Sequence, residues 1–258
     1  MSEARPRLPA ACTLLSYDRL GSSNDEAKRL ARDGAREWTV VWAREQTAGR
    51  GRRGRQWTSI PGNLYVSIIL RPRCTPAAAA QLGFVAALGA GEAVAKLAPR
   101  EGKLRYKWPN DVLLNGGKIA GILLESEMTE AGALAWLVAG VGINVAGHPQ
   151  EAAYPATSLR EAGGADVGAG RMLEAFAERF FTWTGRWLAE GFAPVRAAWL
   201  AGASGLGDAI TARLDREEMA GRFAGIDADG ALLLETPAGE RRITAGDVFP
   251  VRGREGSL

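Results

Sequence analysis

The sequence is poor in residues that several protein classes require. Among its 258 residues, cysteine occurs twice, at Cys12 and Cys74, without C-x-x-C spacing, so neither a disulfide framework nor a thiolate zinc site is expected. His148 is the single histidine and precedes Pro149, and no Ser-His-Asp or Cys-His pair is evident. Reduced thiols are typical of a cytoplasmic protein, and we expect that location.

Neither the net charge nor the length of the apolar stretches indicates a general nucleic-acid-binding protein or a membrane protein. The 32 basic and 29 acidic residues give a formal net charge of +3, which is too small to suggest general binding to nucleic acid. The least charged stretch, 75–91, stops at Glu92 and is shorter than the roughly 20 apolar residues of a membrane span. The N-terminal residues, among them Glu3 and Arg5, lack the apolar core of a signal peptide.

The overall amino-acid composition is typical of a globular protein. Hydrophobic residues make up 47% and charged residues 24%, and there are eight tryptophans although aromatic residues reach only 7%. The length permits one large domain, or one large domain with a small one. Collagen, coiled coil and general disorder are therefore excluded.

Hydrophobic periodicity predicts an α+β fold for most of the chain, with a mixed, mostly antiparallel sheet and flanking helices. A strand at 14–20 leads into a helix that Ser22, Ser23 or Asn24 caps and that ends near Gly34. The other predicted strands are 39–45, 64–70, 104–108, 111–115, 118–126 and 134–145, the other helices are 76–97, 171–188 and 193–200, the segment 46–63 is a long loop, and 115–117 is a hairpin turn.

The hydrophobic periodicity changes near the segment from Gly202 to Gly205. Strand periodicity returns in five short segments separated by tight turns, which predicts a small β-barrel. We therefore divide the chain into a first domain, 1–204, and a second domain, 205–258. The five segments are 208–214, 219–227, 231–237, 240–245 and 247–252.

The segment 49–55 reads GRGRRGR, with four arginines among three glycines. Its letters match the dinucleotide-binding pattern GxGxxG, but that motif opens a helix and needs an acidic residue about 20 positions further on. Here QWTSIPGN follows, which cannot form a useful helix, and position 74 is a cysteine. Rossmann-type binding is therefore excluded.

The composition of this arginine loop (49–55) suits the enclosure of an anion. Glycines let a backbone approach a ligand closely, and arginines form bidentate pairs with carboxylate or phosphate oxygens. Because four like charges repel one another without such an anion, we expect the loop to be disordered until its ligand arrives. A solvated basic loop and, less favoured, an RNA-binding patch are the alternatives.

Two further segments, KWPND at 107–111 and GGKIAGIL at 116–123, lie close together. The second is not a P-loop, because Val112 replaces the required glycine and isoleucine follows Lys118. Lys118 opens a strand flanked by small residues, and it is either a surface cation or a point charge aimed at an oxyanion. The strand GVGINV at 140–145 could lie against a flat base, although a core strand is the simpler interpretation.

In the order SSN, QTAGRGRRGRQW, KWPND, GGKIAGIL, GVGINV and a final five-strand unit, the chain resembles the biotin protein ligase family over about residues 14–252. The arginine loop and KWPND carry the resemblance most specifically. It implies a class II aminoacyl-tRNA synthetase/biotin ligase-like fold followed by an SH3-like barrel. Because only about fifteen residues precede the matching region, we expect no N-terminal DNA-binding domain and no DNA partner.

The resemblance implies the chemistry of a biotin–[acetyl-CoA-carboxylase] ligase. Biotin and ATP would give biotinoyl-5'-AMP and pyrophosphate, and a lysine of a biotin carboxyl carrier protein would then accept the acyl group. Mg²⁺ would be carried by the phosphates, because no cage of clustered carboxylates is evident. We expect a monomer or homodimer that binds no membrane. The alternatives are a lipoate or octanoate ligase of the same fold, a nucleic-acid-binding module and a noncatalytic biotin sensor.

The resemblance also assigns residues to the site. Lys118 would bridge the biotin carboxylate and the α-phosphate, while the arginine loop closes and shields the acyl-adenylate from water. Asp111 would orient or deprotonate the carrier lysine, unless Asn110 and Asp111 only form a turn. The expected catalytic residues are Lys118, Arg50, Arg52 and Asp111, and the expected biotin contacts are Ser22, Ser23, Asn24, Gln46, Gly49, Arg50, Gly51, Arg52 and Lys118.

A second group is assigned to the nucleotide by the same resemblance. Trp57 would form a wall against adenine, and Asn144 would donate or accept a hydrogen bond at its edge. Two arginines, Arg53 and Arg55, would either hold the phosphates or order the loop. The full nucleotide group is Arg53, Arg55, Trp57, Asn110, Lys118 and Asn144.

Overall fold

The computed structural model describes residues 5–98, 102–150, 154–164 and 167–250, which form two β-sheets and five α-helices. Two residues of the last predicted strand, Val251 and Arg252, lie outside these ranges. The larger sheet and its helices precede the smaller sheet along the chain. The catalytic residues expected from the motifs all lie within the described ranges.

The larger sheet has seven strands in the order β1-β2-β3-β7-β6-β5-β4. The pair β1 and β2 is parallel and the other neighbouring pairs are antiparallel, which confirms the mostly antiparallel sheet. At the turn between β5 and β6, Asn115 and Gly116 have φ angles of 52° and 83°, as an Asn-Gly hairpin requires. The strands are β1 (Thr13–Leu20), β2 (Thr39–Gln46), β3 (Leu64–Leu70), β4 (Leu104–Lys107), β5 (Asp111–Leu114), β6 (Gly117–Met128) and β7 (Leu134–Ile143).

The helices agree with the predicted positions except at one break. The single helix predicted at 76–97 is two helices that meet at Gln81, whose side chain accepts a hydrogen bond from Trp187 Nε1 at 2.9 Å. This pair is long and apolar enough to cross a membrane, contrary to our length argument, but 67% of its most apolar window is buried in the protein. The helices are α1 (Ser23–Arg32), α2 (Pro76–Ala80), α3 (Leu82–Leu97), α4 (Ala169–Glu190) and α5 (Phe192–Ala201).

The core lies where α3 and α4 pack on the larger sheet. Leu173, Phe176, Phe180 and Trp187 fall on one face of α4 by helical spacing, and all four are buried. Gly89 of α3 permits the close approach of the two helices, because a Cβ atom there would lie 3.1 Å from the Phe180 backbone. This packing supports the sheet from one side.

The smaller sheet is an open antiparallel sheet in the order β11-β10-β9-β8-β12. The expected small SH3-like unit of five short strands is confirmed; within the described residues β11 and β12 lie at opposite edges of the sheet, so closure of the barrel is not assigned. Trp108 Nε1 donates to the Gly230 carbonyl at 3.1 Å, and Arg196 Nε donates to that of Ile226 at 2.7 Å, which joins the two parts of the chain. The strands are β8 (Ala209–Arg213), β9 (Glu218–Ile226), β10 (Leu232–Thr236), β11 (Gly239–Ile243) and β12 (Asp247–Pro250).

Replacing Phe180 with Ala tests whether this core supports the fold. Phe180 is 0% exposed and stacks on Phe176 with ring centroids 5.4 Å apart. We expect Phe180→Ala to lower the free energy of unfolding by about 3–5 kcal/mol, measured by urea denaturation, because it leaves a cavity in the core. Leu188→Ala on the same helix is the control, since Leu188 is 65% exposed and should lose little. Equal losses in the two variants would contradict this description of the core.

Candidate active site

A cavity of about 280 Å³ opens on the larger sheet beside β6 and β7. The sequence motifs that are far apart in the chain meet there, and of the predicted site residues only Gly49 and Arg53 are not part of its lining. The predicted residues that line it are Ser22, Ser23, Asn24, Gln46, Arg50, Gly51, Arg52, Arg55, Trp57, Asn110, Asp111, Lys118 and Asn144.

One end of the cavity is a network of hydrogen bonds at the start of α1. Ser22 caps this helix, with its hydroxyl 3.5 Å from the Asp25 backbone nitrogen. Gln46 Oε1 accepts from the Ser23 backbone N–H at 2.7 Å. Ser67, which the sequence did not single out, donates to Asn24 Oδ1 at 2.6 Å. The three serines and Asn24 are nearly buried and Gln46 is half-buried, so these groups can recognise a neutral polar ligand only in a fixed orientation.

The glycines of β6 and β7 make room for side chains within the site. A Cβ atom at Gly140 would lie 2.0 Å from Asn24 Oδ1, and one at Gly142 would lie 2.6 Å from the Trp57 ring. A Cβ atom at Gly121 would lie 2.8 Å from the same ring. The flat group lying on GVGINV is therefore the Trp57 indole in this structure, rather than a base. No described residue accepts a hydrogen bond from Trp57 Nε1, which is buried.

Lysines and one carboxylate form the centre of the cavity. Lys118 Nζ lies 2.6 Å from Asp111 Oδ1 and 5.4 Å from the centre of the Trp57 ring. Lys107 Nζ is 4.0 Å from Asp111 Oδ2, and burial lowers the pKa of Lys107, with the nearby Lys118 charge acting in the same direction. Asp111 is the first residue of β5 and directly follows the turn at 108–110. It holds the Lys118 ammonium at the cavity.

Asn110 has a structural partner as well as a place in the cavity. Its Nδ2 donates to the Ile122 carbonyl at 2.7 Å, and its Oδ1 lies 3.5 Å from an Arg52 guanidinium nitrogen. The turn that it occupies before β5 is therefore tied both to β6 and to the arginine loop. The alternative of a plain turn accounts for the first contact but not for the second.

The arginine loop is folded over the cavity in this structure, and whether a ligand is needed to order it stays a prediction. Residues 52–54 form one turn of 3₁₀ helix, in which Arg53 has a positive φ of 54°. A left-handed conformation is uncommon for a residue with a Cβ atom, and it needs support from neighbouring contacts. Arg50 pairs with Asp25 on α1, and a second carboxylate, Glu125, lies 4.0 Å away.

The other three arginines of the loop face a carboxylate on β12. Arg55 pairs with Asp247, while nitrogens of Arg52 and Arg53 lie 3.8 Å and 3.7 Å from its oxygens. Arg53 also pairs with Asp215 at 2.8 Å. Of the two predicted roles for Arg53 and Arg55, these contacts support ordering of the loop. Sequence reasoning missed Asp247, because a lone acidic residue at the start of a short apolar strand carries no strong signal.

Asn144 is nearly buried, and its amide nitrogen already donates hydrogen bonds within the protein. Its Nδ2 lies 3.0 Å from the Thr157 carbonyl and 3.3 Å from that of Lys118. A hydrogen bond donated by Asn144 Nδ2 to adenine would require the amide to leave these partners, whereas Asn144 Oδ1, which lies 3.4 Å from Asn63 Nδ2, can accept a further one. Asn63, which sequence reasoning missed, accepts from the backbone N–H groups of 145, 146 and 147 at 2.8–3.1 Å and so fixes the chain after β7.

The chain matches the family model described as "Biotin/lipoate A/B protein ligase family" over residues 55–201, and that described as "Biotin protein ligase C terminal domain" over residues 205–249. A biotin–[acetyl-CoA-carboxylase] ligase of Paracoccus denitrificans is 46% identical over 236 residues, which covers 90% of this chain and 98% of that protein. The bifunctional ligase/repressor BirA of Bacillus subtilis is 35% identical over 242 residues, 91% of this chain and 73% of that protein.

A solved structure, biotin protein ligase from Aquifex aeolicus in complex with biotin and ATP, superposes with a TM-score of 0.78 at 28% identity, covering 92% of this chain and 97% of that one. The fold and the enclosed cationic cavity thus define a biotin or lipoate ligase type of enzyme. Within that type, the chain belongs to the biotin protein ligase family. The resemblance and the fold class inferred from the motifs are confirmed.

The three hydrogen bonds to Asn63 can be tested by substitution. Asn63 is 1% exposed, so Asn63→Ala leaves backbone N–H groups without an acceptor where water cannot replace it. We expect the free energy of unfolding to fall by more than about 2 kcal/mol in urea denaturation. Gln150→Ala removes an exposed amide from the same connection and should have almost no effect. If both variants were equally stable, Asn63 would not fix this segment.

Proposed function

We propose that this protein is an ATP-dependent biotin protein ligase. The observation that carries the proposal is the meeting of Lys118, the arginine loop and the buried Ser/Asn network around one cavity, in a chain that belongs to this family. The polar network suits the uncharged ring system of biotin, and the cations suit its carboxylate and the phosphates of ATP. Each part of the cavity therefore has a ligand group of matching chemistry.

In the proposed first step, a biotin carboxylate oxygen attacks the α-phosphorus of ATP and pyrophosphate leaves. Two anions must approach each other, so the main task of the protein is to offset their repulsion and to position them. Lys118 is proposed to lie between the carboxylate and the α-phosphate, and Arg50 and Arg52 to close the loop over them. Gln46 and Ser22–Asn24 are proposed to hold the ring of biotin, with Gly49 and Gly51 allowing close approach.

In the proposed second step, the amine of a carrier lysine attacks the acyl carbon of biotinoyl-5'-AMP, and AMP leaves. A general base is needed, because an ammonium group is not a nucleophile. Asp111 is the proposed base or orienting group, and its 2.6 Å contact with Lys118 supports a position beside the reacting carbon. Trp57, Asn110, Asn144, Arg53 and Arg55 are proposed to bound the nucleotide, with Arg53 and Arg55 acting through the loop.

Magnesium would be bound chiefly by the substrate. Among the described residues, no group of three His, Cys, Asp or Glu side chains could hold a metal ion. Mg²⁺ prefers phosphate oxygens together with one or two carboxylates, and the carboxylates that line the cavity are Asp111 and Asp247. When bound, Mg²⁺ would neutralise part of the phosphate charge, and the arginines and lysines would neutralise the rest.

The acceptor is proposed to be a biotin carboxyl carrier protein or domain, without a DNA or membrane partner. We propose a monomer or homodimer, and a cytoplasmic location supported by the free thiols of Cys12 and Cys74. The division at residues 204 and 205 is supported by the change from the larger to the smaller sheet between Ala201 and Ala209.

A pyrophosphate-release assay tests the proposed function. Purified protein with ATP, Mg²⁺ and biotin should release pyrophosphate, and addition of a biotin carboxyl carrier domain should give a product heavier by one biotinoyl group. Lipoate and octanoate, the acids that the alternative ligases use, replace biotin in parallel assays. Equal turnover with these acids and none with biotin would reverse the assignment, while biotin binding without pyrophosphate release would indicate a sensor. Salt-sensitive RNA binding without ATP would indicate a nucleic-acid module.

Lys118→Ala tests the proposed charge between the two anions. We expect kcat/KM for pyrophosphate release to fall by about 100- to 1,000-fold, which is typical for loss of one preorganised donor at a developing charge. Lys96→Ala is the matched control, because Lys96 is an exposed lysine that pairs with Glu178 at 2.9 Å far from the cavity. An active Lys118→Ala enzyme with unchanged thermal stability would remove Lys118 from the mechanism.

A further inference from the structure

Three of the four arginines of the arginine loop form ion pairs with one residue of the C-terminal sheet. Asp247 Oδ2 pairs with Arg55 and lies 3.7 Å from an Arg53 nitrogen, and its Oδ1 lies 3.8 Å from an Arg52 nitrogen. The Arg52 guanidinium also donates to the Gly246 carbonyl at 3.3 Å. The Asp247 side chain is only 11% exposed, so water screens these interactions weakly.

Asp247 is attached to a sheet that is itself fixed to the rest of the protein. Besides the Trp108 and Arg196 hydrogen bonds already described, Gln81 Nε2 lies 3.4 Å from the Ala228 carbonyl. On the strand that Asp247 begins, the Phe249 ring packs on Tyr154 with centroids 5.3 Å apart, and Lys107 Nζ lies over both rings. Asp247 is therefore an anchored charge, and the loop is the movable partner.

The loop needs such an anchor because its own sequence opposes its folded form. Arg52, Arg53 and Arg55 lie close enough together to repel one another, and Arg53 adopts a left-handed backbone conformation. Arg52 is largely removed from water, and this burial lowers its pKa. One shared carboxylate offsets the repulsion, and Asp215 adds a further pair at the exposed side.

We propose that Asp247 is a positioning residue that holds the arginine loop against the C-terminal sheet and over the cavity before any nucleotide binds. It does not contact the reacting atoms. When phosphate oxygens arrive, they offer the same guanidinium groups a second set of acceptors, so the loop is already near its closed position. The effect on turnover rests on the proposed function, whereas the effect on the loop does not.

Limited trypsin digestion measures the loop directly, because trypsin cleaves after arginine and the loop has four. In the protein without ligands, we expect Asp247→Asn to raise the rate of cleavage after residues 50–55 by about tenfold or more, followed by mass spectrometry of the loop peptides. Cleavage of a native protein follows the population of the open form when opening is fast. The cleavage rate therefore measures how firmly Asp247 holds the loop. Asp247→Glu should restore most of the protection.

Glu235→Gln is the matched control, because it also removes an arginine–carboxylate pair from the C-terminal sheet, the Arg222 pair at 2.5 Å, but away from the loop. It should leave loop cleavage unchanged. Thermal denaturation checks that each variant folds, and if Asp247→Asn does not fold, Arg55→Gln removes the same pair from the loop side. Wild-type cleavage rates in folded Asp247→Asn or Arg55→Gln would overturn the proposal, as would equally faster cleavage in Glu235→Gln.

Turnover separates this proposal from the proposed function. For Asp247→Asn we expect the KM for biotin and for ATP to rise by about tenfold, with a smaller change in kcat, because a loop that leaves its position more often lowers the fraction of protein ready to bind either substrate. A wild-type protein without ligase activity would refute the proposed function. The digestion result would still show whether Asp247 holds the loop. An active enzyme whose Asp247→Asn variant keeps wild-type KM values and wild-type loop protection would refute only the proposed role of Asp247.

Discussion

The structure depends on how positive charge is held around one cavity. An anion-binding cavity needs several cations close together, and these repel one another when the anion is absent. Three carboxylates offset this repulsion: Asp25 at Arg50, Asp111 at Lys118, and Asp247 at the remaining loop arginines. Each belongs to a different part of the fold, namely α1, β5 and β12. The positions of these elements therefore decide where the cations lie.

Local chemistry made much of this predictable from the sequence. The Ser22 cap, the Asn115-Gly116 turn and the buried face of α4 each depend on residues a few positions apart, so composition and spacing reveal them. The motifs also predicted the lining of the cavity well, since Lys118, Trp57 and Asn24 all reach it. The break at Gln81 was not predictable, because the apolar helical pattern continues on both sides, and Gly83 lies within the second helix without ending it.

Contacts between distant residues explain what the sequence could not provide. Arg55 and Asp247 are 192 positions apart, and Asn63 is more than 80 positions from the backbone groups that it binds. No periodicity connects such residues, and a single aspartate or asparagine is ordinary in composition. The strand order of the second sheet has the same cause: the pairing of β12 with β8 depends on how the strands meet in space, which alternation along each strand does not encode.

The position of Asp247 near the C-terminal end of the described chain has a consequence for synthesis. Chains emerge from the ribosome N-terminus first, so the seven-stranded sheet and the four loop arginines are complete long before β12 is made. During that interval three guanidinium groups lack their shared carboxylate. The nascent protein therefore carries three loop arginines whose shared carboxylate is supplied only once β12 has been made.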